Sequence, residues 1–294
     1  MTGGWQCLGM RWSAGGPALV WHSAERGERV SPFTYGMDLG FRAEGERSCV
    51  GVWRGGRRTG CPVGAVVPGR GGSAQCGECA RLDRSFSVAA DTNAGDPRPY
   101  SVYLAWFGPG MVKVGITAAE RGPVRLLEQG AVAFSWLGRG PLMAARRTEE
   151  LLRTALGVPD RIPYAQKRAV RAGLPVWGTR VAEVAELHAR AVALANWPDS
   201  LERAECEVVD QTGVFGLRGL EPVTGVVAEL VAGGTVAGRL VAAAGPDLHL
   251  AGGLVVDTRL MSGWRLTRVA AGAPVTAPVR PVVAAGGETQ EGLF

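Results

Sequence analysis

The chain has 294 residues, 46% hydrophobic and 20% charged, with a formal net charge of +5, a composition typical of soluble globular proteins and a length that suits two or three domains. No apolar stretch of about 18 residues runs without polar breaks, which excludes a transmembrane helix. Residues 1–25 also lack the apolar run of a signal peptide, so a cytoplasmic, reducing setting and no membrane partner are expected.

Residues 1–48 carry short apolar runs such as Ala18-Leu19-Val20-Trp21 between Gly/Ser clusters, the pattern of a β-rich section. Residues 49–98 are a cysteine section. Cys49, Cys61, Cys76 and Cys79 are spaced x11, x14 and x2, and the last pair forms a C-x-x-C knuckle around Gly77 and Glu78. Residues 54–81 have few large apolar side chains, so something other than a hydrophobic core must order them. Four thiolates around one structural Zn²⁺ would do so. A redox C-x-x-C is the rival reading, but no thioredoxin-like βαβ pattern surrounds it. A closed four-sulfur site leaves no position for substrate, so this zinc has no expected catalytic role. Cys7 and Cys206 read as lone buried thiols. The polar stretch at 91–97 reads as a linker.

Residues 99–200 read as an α/β core. Residues 101–107 are rich in Val, Tyr, Trp and Phe and suit a strand; Gly108-Pro109-Gly110 breaks it, and residues 111–116 alternate with period 2. A hairpin pairing Phe107 with Met111 sets Ala105 opposite Lys113 and Tyr103 opposite Gly115. These four then share one face, with room for a ligand beside the two small residues; the alternative is an ordinary hairpin with a surface lysine. Arg121, Arg125, Glu128 and Gln129 follow on a short helical segment before Gly130, which puts the two arginines on one face. Further helices are expected at 141–156, 163–172 and 179–195. In the first, Leu142, Ala145, Glu149, Leu152 and Leu156 fall in one sector, so Glu149 sits within an apolar stripe and needs a partner. That partner is either an arginine at the stripe's edge or a metal in an active site.

Lysine occurs only at positions 113 and 167; the remaining basic residues are arginine. Residues 139–190 hold ten Arg/Lys against five Asp/Glu. Arg121, Arg139, Arg146, Arg153, Arg161, Lys167 and Arg168 are candidates for contact with a polyanion such as nucleic acid, unless they form a solvated helix surface with charge pairs. Residues 201–271 return to β patterns, with strands at 223–231, 235–243, 248–257 and 264–269, as in a small barrel or sandwich that could pack with 1–48. Residues 272–294 are Ala/Pro/Val/Gly-rich and read as a flexible tail. His22, His188 and His249 have no ligand-like spacing, and no nucleophile elbow or Walker loop is present.

The stretch VYLAWFGPGMVKVGIT…RLLEQGA…ARRTEELL resembles the GIY-YIG-like core of domain-of-unknown-function family 2797, most closely over residues 100–160. It carries the VYLA and KVGIT strands, an arginine before a QGA turn, and an AR-x-x-E helix. The resemblance implies an α+β protein. Its GIY-YIG-like α/β core, with a β-hairpin and helices, would be flanked by the four-cysteine zinc-binding section and by small β-rich N- and C-terminal sections. GIY-YIG nucleases are metal-dependent phosphodiesterases, so the resemblance implies Tyr103 near the attacking water, Arg125 at the phosphate and Glu149 on Mg²⁺ or Mn²⁺. Lys113 stands where the second tyrosine is expected. A lysine is protonated at neutral pH unless burial lowers its pKa, so Lys113 would clamp an anion or, if desolvated, act as a base. Two functions follow. One is a nucleic-acid-binding, metal-dependent endonuclease attenuated at Lys113. The other is a non-catalytic zinc-containing module that binds nucleic acid or another anion.

Overall fold

The computed structural model describes residues 4–54, 57–85 and 95–282. Part of the expected linker and residues 283–294 of the expected tail lie outside them. The chain opens with β1 (Gln6–Ser13), β2 (Gly16–Ser23) and β3 (Gly27–Pro32), an antiparallel meander, followed by β4 (Asp38–Glu44). The cysteine section contains a small hairpin, β5 (Val52–Arg54) with β6 (Arg57–Thr59), and then helix α1 (Gly77–Ser85).

β7 (Pro99–Gly108) and β8 (Met111–Ala118) form the hairpin. Ala105 pairs with Lys113 and Tyr103 with Gly115, but Met111 pairs with Gly108, not Phe107. Phe107 is instead the extra residue of a β-bulge, because Pro109 and Gly110 make a two-residue turn that brings Gly108 into register. α2 (Val124–Gln129) leads to β9 (Ala133–Pro141), which pairs antiparallel with the other side of β7. β7 is thus a central strand buried on both faces. Tyr100, Val102, Leu104 and Trp106 point into the main core, while Tyr103, Ala105 and Phe107 enter a separate cluster with Leu126, Phe134 and Ile162. Each large apolar side chain so buried contributes roughly 1.5–3 kcal/mol. The period-2 alternation of one strand therefore builds two cores, and the smaller one carries Tyr103.

α3 (Leu142–Leu156), α4 (Tyr164–Val170) and α5 (Trp177–Val192) follow, each close to its expected bounds. Two short strands, β10 (Glu202–Arg203) and β11 (Val209–Asp210), pair with β9 and complete a five-stranded sheet. After α6 (Thr212–Phe215) come β12 (Gly225–Val227), β13 (Thr235–Ala244), β14 (Asp247–Leu250), β15 (Leu254–Asp257), α7 (Thr258–Met261), β16 (Arg265–Arg268) and β17 (Val279–Pro281). These strands do not close a barrel or sandwich of their own. β13 and β16 both pair with β4, and β16 also pairs with β1, so the two ends of the chain share one ten-stranded sheet ordered β17-β12-β15-β14-β13-β4-β16-β1-β2-β3. The expected 248–257 strand is two, split at Ala251, Gly252 and Gly253.

Candidate functional site

The site begins with Tyr103, 1% exposed, whose ring lies directly over Gly115. A Cβ at Gly115 would stand 2.5 Å from the phenol oxygen, so this strand position must be glycine for the ring to lie flat against it. The phenol accepts a hydrogen bond of 2.7 Å from Gln129 Nε2. Burial raises the Tyr103 pKa, opposed by the Gln129 bond and by the charge of Arg125, while Glu149 pushes it further up.

Lys113 is half-buried beside it, its ammonium 5.9 Å from the Tyr103 ring centroid. β8 is an edge strand. Residues 157–163, leading from α3 to α4, run along this edge: Pro159 O accepts from Val114 N at 3.1 Å and Asp160 O from Lys113 Nζ at 3.1 Å. Burial lowers the Lys113 pKa to about 8, helped by Arg125 and opposed by Glu149 and Asp160.

Glu149 belongs to α3, but not to the middle of its buried stripe. Leu142, Ala144, Ala145, Thr148 and Leu152 are the buried residues there, and Glu149 lies on the flank, half-buried. Thr148 tolerates the interior because its hydroxyl donates to Ala144 O at 3.0 Å, which a carboxylate could not do. Among the described residues, Glu149 makes no hydrogen bond and no ion pair within 4.0 Å. Burial raises its pKa, and Lys113 is the largest opposing charge. A half-buried carboxylate with no direct partner carries a desolvation cost that a nearby cation would offset.

Arg121 and Arg125 do not share a helix. Arg121 ends a single 3₁₀ turn, Ala119–Arg121, and Gly122-Pro123 separates it from α2. The break still leaves both arginines on one carboxylate: Glu128 receives Arg121 at 2.6 Å and Arg125 at 3.3 Å. Gly130, at φ 69°, then turns the chain so tightly against Gly245 that a Cβ would stand 3.0 Å from Gly245 N and 2.9 Å from Arg171 Nη2. That turn presents Gln129 to Tyr103.

Lys167 and Arg168 leave the expected surface patch. Lys167 is 3% exposed. Its ammonium donates to Gln129 O at 3.0 Å and lies 3.7 Å from the Phe107 centroid and 4.6 Å from that of Tyr164. Burial lowers its pKa to about 7, with the like charges of Lys113, Arg171 and Arg125 adding to the effect. Lys113, the other lysine of the chain, is the largest of these like charges. Arg168, one residue on, turns to the other side of α4 and bonds Asp247 at 2.5 Å and Asp257 at 2.7 Å. Arg171 joins it on Asp247 at 2.6 Å and donates at 3.1 Å to His249 Nε2, which fixes the neutral tautomer of that imidazole. Arg180 is also internal, paired with Asp210 at 2.9 Å. Arg121, Arg139, Arg153 and Arg161 are exposed and Arg146 is half-buried; Arg153 pairs with Glu150 at 2.6 Å.

Cys49, Cys61, Cys76 and Cys79 form a second centre, with all four sulfurs within 4.8 Å of one another. Tetrahedral Zn–S bonds of about 2.3 Å would set them about 3.8 Å apart, so the group could hold a metal ion such as zinc. Their positions come from local structure: Cys49 precedes β5, Cys61 follows β6, and Cys76 and Cys79 open α1. Cys49 Sγ accepts from Cys76 N at 3.2 Å and Gly51 N at 3.4 Å, as a metal thiolate would. Backbone amides of Ala65 and Val63 hold the Cys61 thiol down to about 7, whereas burial pushes Cys49 and Cys79 up. Cys7 is fully buried and pushed up to about 12. Cys206 is exposed, contrary to expectation, because it lies between Glu205 and Glu207 in the irregular link from β10 to β11.

The sequence reading missed two members of the Tyr103 site. Gln129 is expected on the short helical segment and in the turn after it, without a role at Tyr103, and Lys167 is expected among the polyanion contacts. The rarity of lysine was the available signal for the second. No helix among the described residues is long and apolar enough to cross a membrane. A family model described as "Protein of unknown function (DUF2797)" matches residues 36–266, from just before β4 into β16. No curated protein and no solved structure matches.

Proposed function

This chain belongs to the DUF2797 family, and we propose that its Tyr103–Lys113–Arg125–Glu149 cluster is a phosphodiester-directed site of the GIY-YIG kind on a nucleic-acid-binding protein. One observation carries the reading: Glu149 is half-buried with no direct partner among the described residues, and its charge raises the pKa of both Lys113 and Tyr103. Glu149 is the residue to hold a divalent ion, Mg²⁺ or Mn²⁺, which when bound supplies charge neutralisation and a more acidic water. Arg125 offers a planar guanidinium to a phosphate. Tyr103, with its phenol oxygen anchored by Gln129, orients the attacking water or the phosphate. Lys113, held to a pKa of about 8 by burial, supplies a neutral amine to a sizeable part of the molecules at mildly alkaline pH and takes a proton where a second tyrosine would. The exposed Arg121, Arg139, Arg153 and Arg161, with Arg146, contact the polyanion backbone. The four cysteines hold one structural Zn²⁺; the expected outcome of metal analysis is about one zinc per chain, and a zinc-free protein of full stability would overturn this.

The test is incubation of labelled DNA and RNA with the purified protein, with Mg²⁺, Mn²⁺ or chelator, scored for cleavage and retention. Metal-dependent cleavage lost in Glu149→Gln supports the enzyme. Binding without cleavage supports the second reading, a non-catalytic module, which Lys113 at a tyrosine position favours. No binding to any nucleic acid at about 50 mM salt sinks the nucleic-acid reading and leaves a module for another anion.

A further inference from the structure

A cleft of about 380 Å³ opens between the first strands of the chain, the cysteine module and the turn before α2, lined among others by Met10, Arg11, Val20, Trp53, Arg121 and Glu128. Each side brings a different element. Arg11 and Val20 come from the β1–β2 hairpin, whose β-bulge between Cys7 and Gly9 lies beside the cleft. Trp53 comes from β5, and its backbone N–H donates to Asp83 Oδ1 of α1 at 3.2 Å, so the helix that carries Cys79 also fixes the tryptophan strand. Arg121 and Glu128 come from the candidate site.

The charge balance favours an anion. Glu128 is already held by Arg121 and Arg125. With Arg11, the cleft lining carries two guanidiniums, Arg11 and Arg121, against one carboxylate, Glu128. Arg11 is exposed, and its guanidinium stands 5.9 Å from the Trp53 ring centroid. An aromatic face, two cations at its rim and a lining of mixed polar and apolar surface are elements that suit an unpaired nucleotide: the base stacks and the phosphate is neutralised. The cleft is on the scale of one small ligand and too small for a duplex. Glu128 joins it to Arg125.

We propose that this cleft seats one unpaired nucleotide of a single-stranded nucleic acid, its base against Trp53 and its phosphate between Arg11 and Arg121, so that the adjoining phosphodiester lies at Arg125. The cysteine module is then a wall of the substrate path as well as a folding unit. This rests on the nucleic-acid reading above.

The experiment measures anisotropy of a dye-labelled oligothymidine with the full-length, zinc-loaded protein. Trp53→Ala weakens binding about tenfold, and Trp53→Phe, which keeps a stacking face, restores most of it. Arg11→Glu weakens binding and flattens its salt dependence. Melting temperature and zinc content of each variant exclude misfolding. In parallel, an oligonucleotide carrying 5-iodouracil is photo-crosslinked to the wild-type protein, and the adduct maps to the Trp53 peptide. Wild-type affinity in Trp53→Ala and Arg11→Glu, with crosslinks elsewhere, overturns the path and leaves the function reading standing. A wild-type protein that binds no nucleic acid overturns both. If Trp53→Ala does not fold, the wild-type crosslink decides.

Discussion

Two cationic clusters lie on either side of α4 and are built on opposite principles. On one side Arg168, Arg171 and Arg259 meet Asp247 and Asp257, and all four carboxylate oxygens accept from an arginine at 2.5–2.9 Å. On the other side Glu149 has Lys113 as its largest opposing charge, with Arg146 behind it and Asp160 and Glu150 as like charges, and its oxygens accept from no described residue. In the first cluster both carboxylates are saturated, although Arg168 Nε, Arg171 Nε and Arg171 Nη2 are buried without a partner among the described residues, and the ion pairs tie α4 to β14, β15 and α7. The second leaves a carboxylate unpartnered and two amines with depressed pKa values. Paired carboxylates hold elements of a fold together, whereas an unpaired carboxylate beside amines of depressed pKa is the kind of group on which the proposed site rests. Adjacent residues of one helix, Lys167 and Arg168, serve the two sides.

The comparison breaks most visibly at Asp247, which is fully buried. Asp247→Ala strands Arg168 and Arg171 without their shared carboxylate and costs about 3–5 kcal/mol in urea unfolding. A variant of wild-type stability would show that the paired cluster does not hold the fold.

Lys167→Met has a smaller effect that depends on pH. The Gln129 carbonyl loses its donor, which costs about 1 kcal/mol at neutral pH. Between pH 7 and 10.5 the unfolded chain keeps the Lys167 proton while the folded chain has released it, so the wild type gains stability as pH rises. Methionine does not titrate. The deficit of the variant therefore widens from pH 7 towards 10.5 in paired denaturation curves; a deficit that narrows contradicts a buried, neutralising lysine.

The residues that make the two clusters were unequally legible. The hairpin register could be read because period 2 and two small residues, Ala105 and Gly115, leave one arrangement with room for Tyr103 and Lys113. The helix limits followed from Pro141, Gly157 and their like, and the cysteine spacing was local. Which of Lys167 and Arg168 faces which cluster was not legible, since both are cationic and the answer depends on Asp247 and Gln129, far away in sequence. The choice of Thr148 over Glu149 for the interior of α3 turned on a hydroxyl-to-backbone bond that helical periodicity does not encode. β9 was missed altogether: Ala133, Phe134, Ser135, Trp136 and Leu137 lack alternation because the strand is covered on both faces. The shared sheet was hinted at by β patterns at both ends of the chain, but pairs such as Gln6 with Arg265 have no local signature.

The smallest expected change in stability belongs to Glu149→Gln, and it separates the two clusters most cleanly. Burial holds the Glu149 carboxyl above its ordinary value of 4.5. Below that value both folded and unfolded chains carry the proton, and glutamate costs the fold nothing. As pH rises above it the unfolded chain ionises first, so the wild type loses stability relative to glutamine. Glu149→Gln is therefore within about 1 kcal/mol of wild type at pH 7, and on the stable side, in contrast to Asp247→Ala. Added Mn²⁺ reverses the order, because an ion bound to the folded wild type alone stabilises it by mass action. Melting curves at pH 7 with and without Mn²⁺ test both statements. A clear loss of stability in Glu149→Gln without metal would mean that Glu149 has a structural partner after all. An equal response of both proteins to Mn²⁺ would remove the metal from this site.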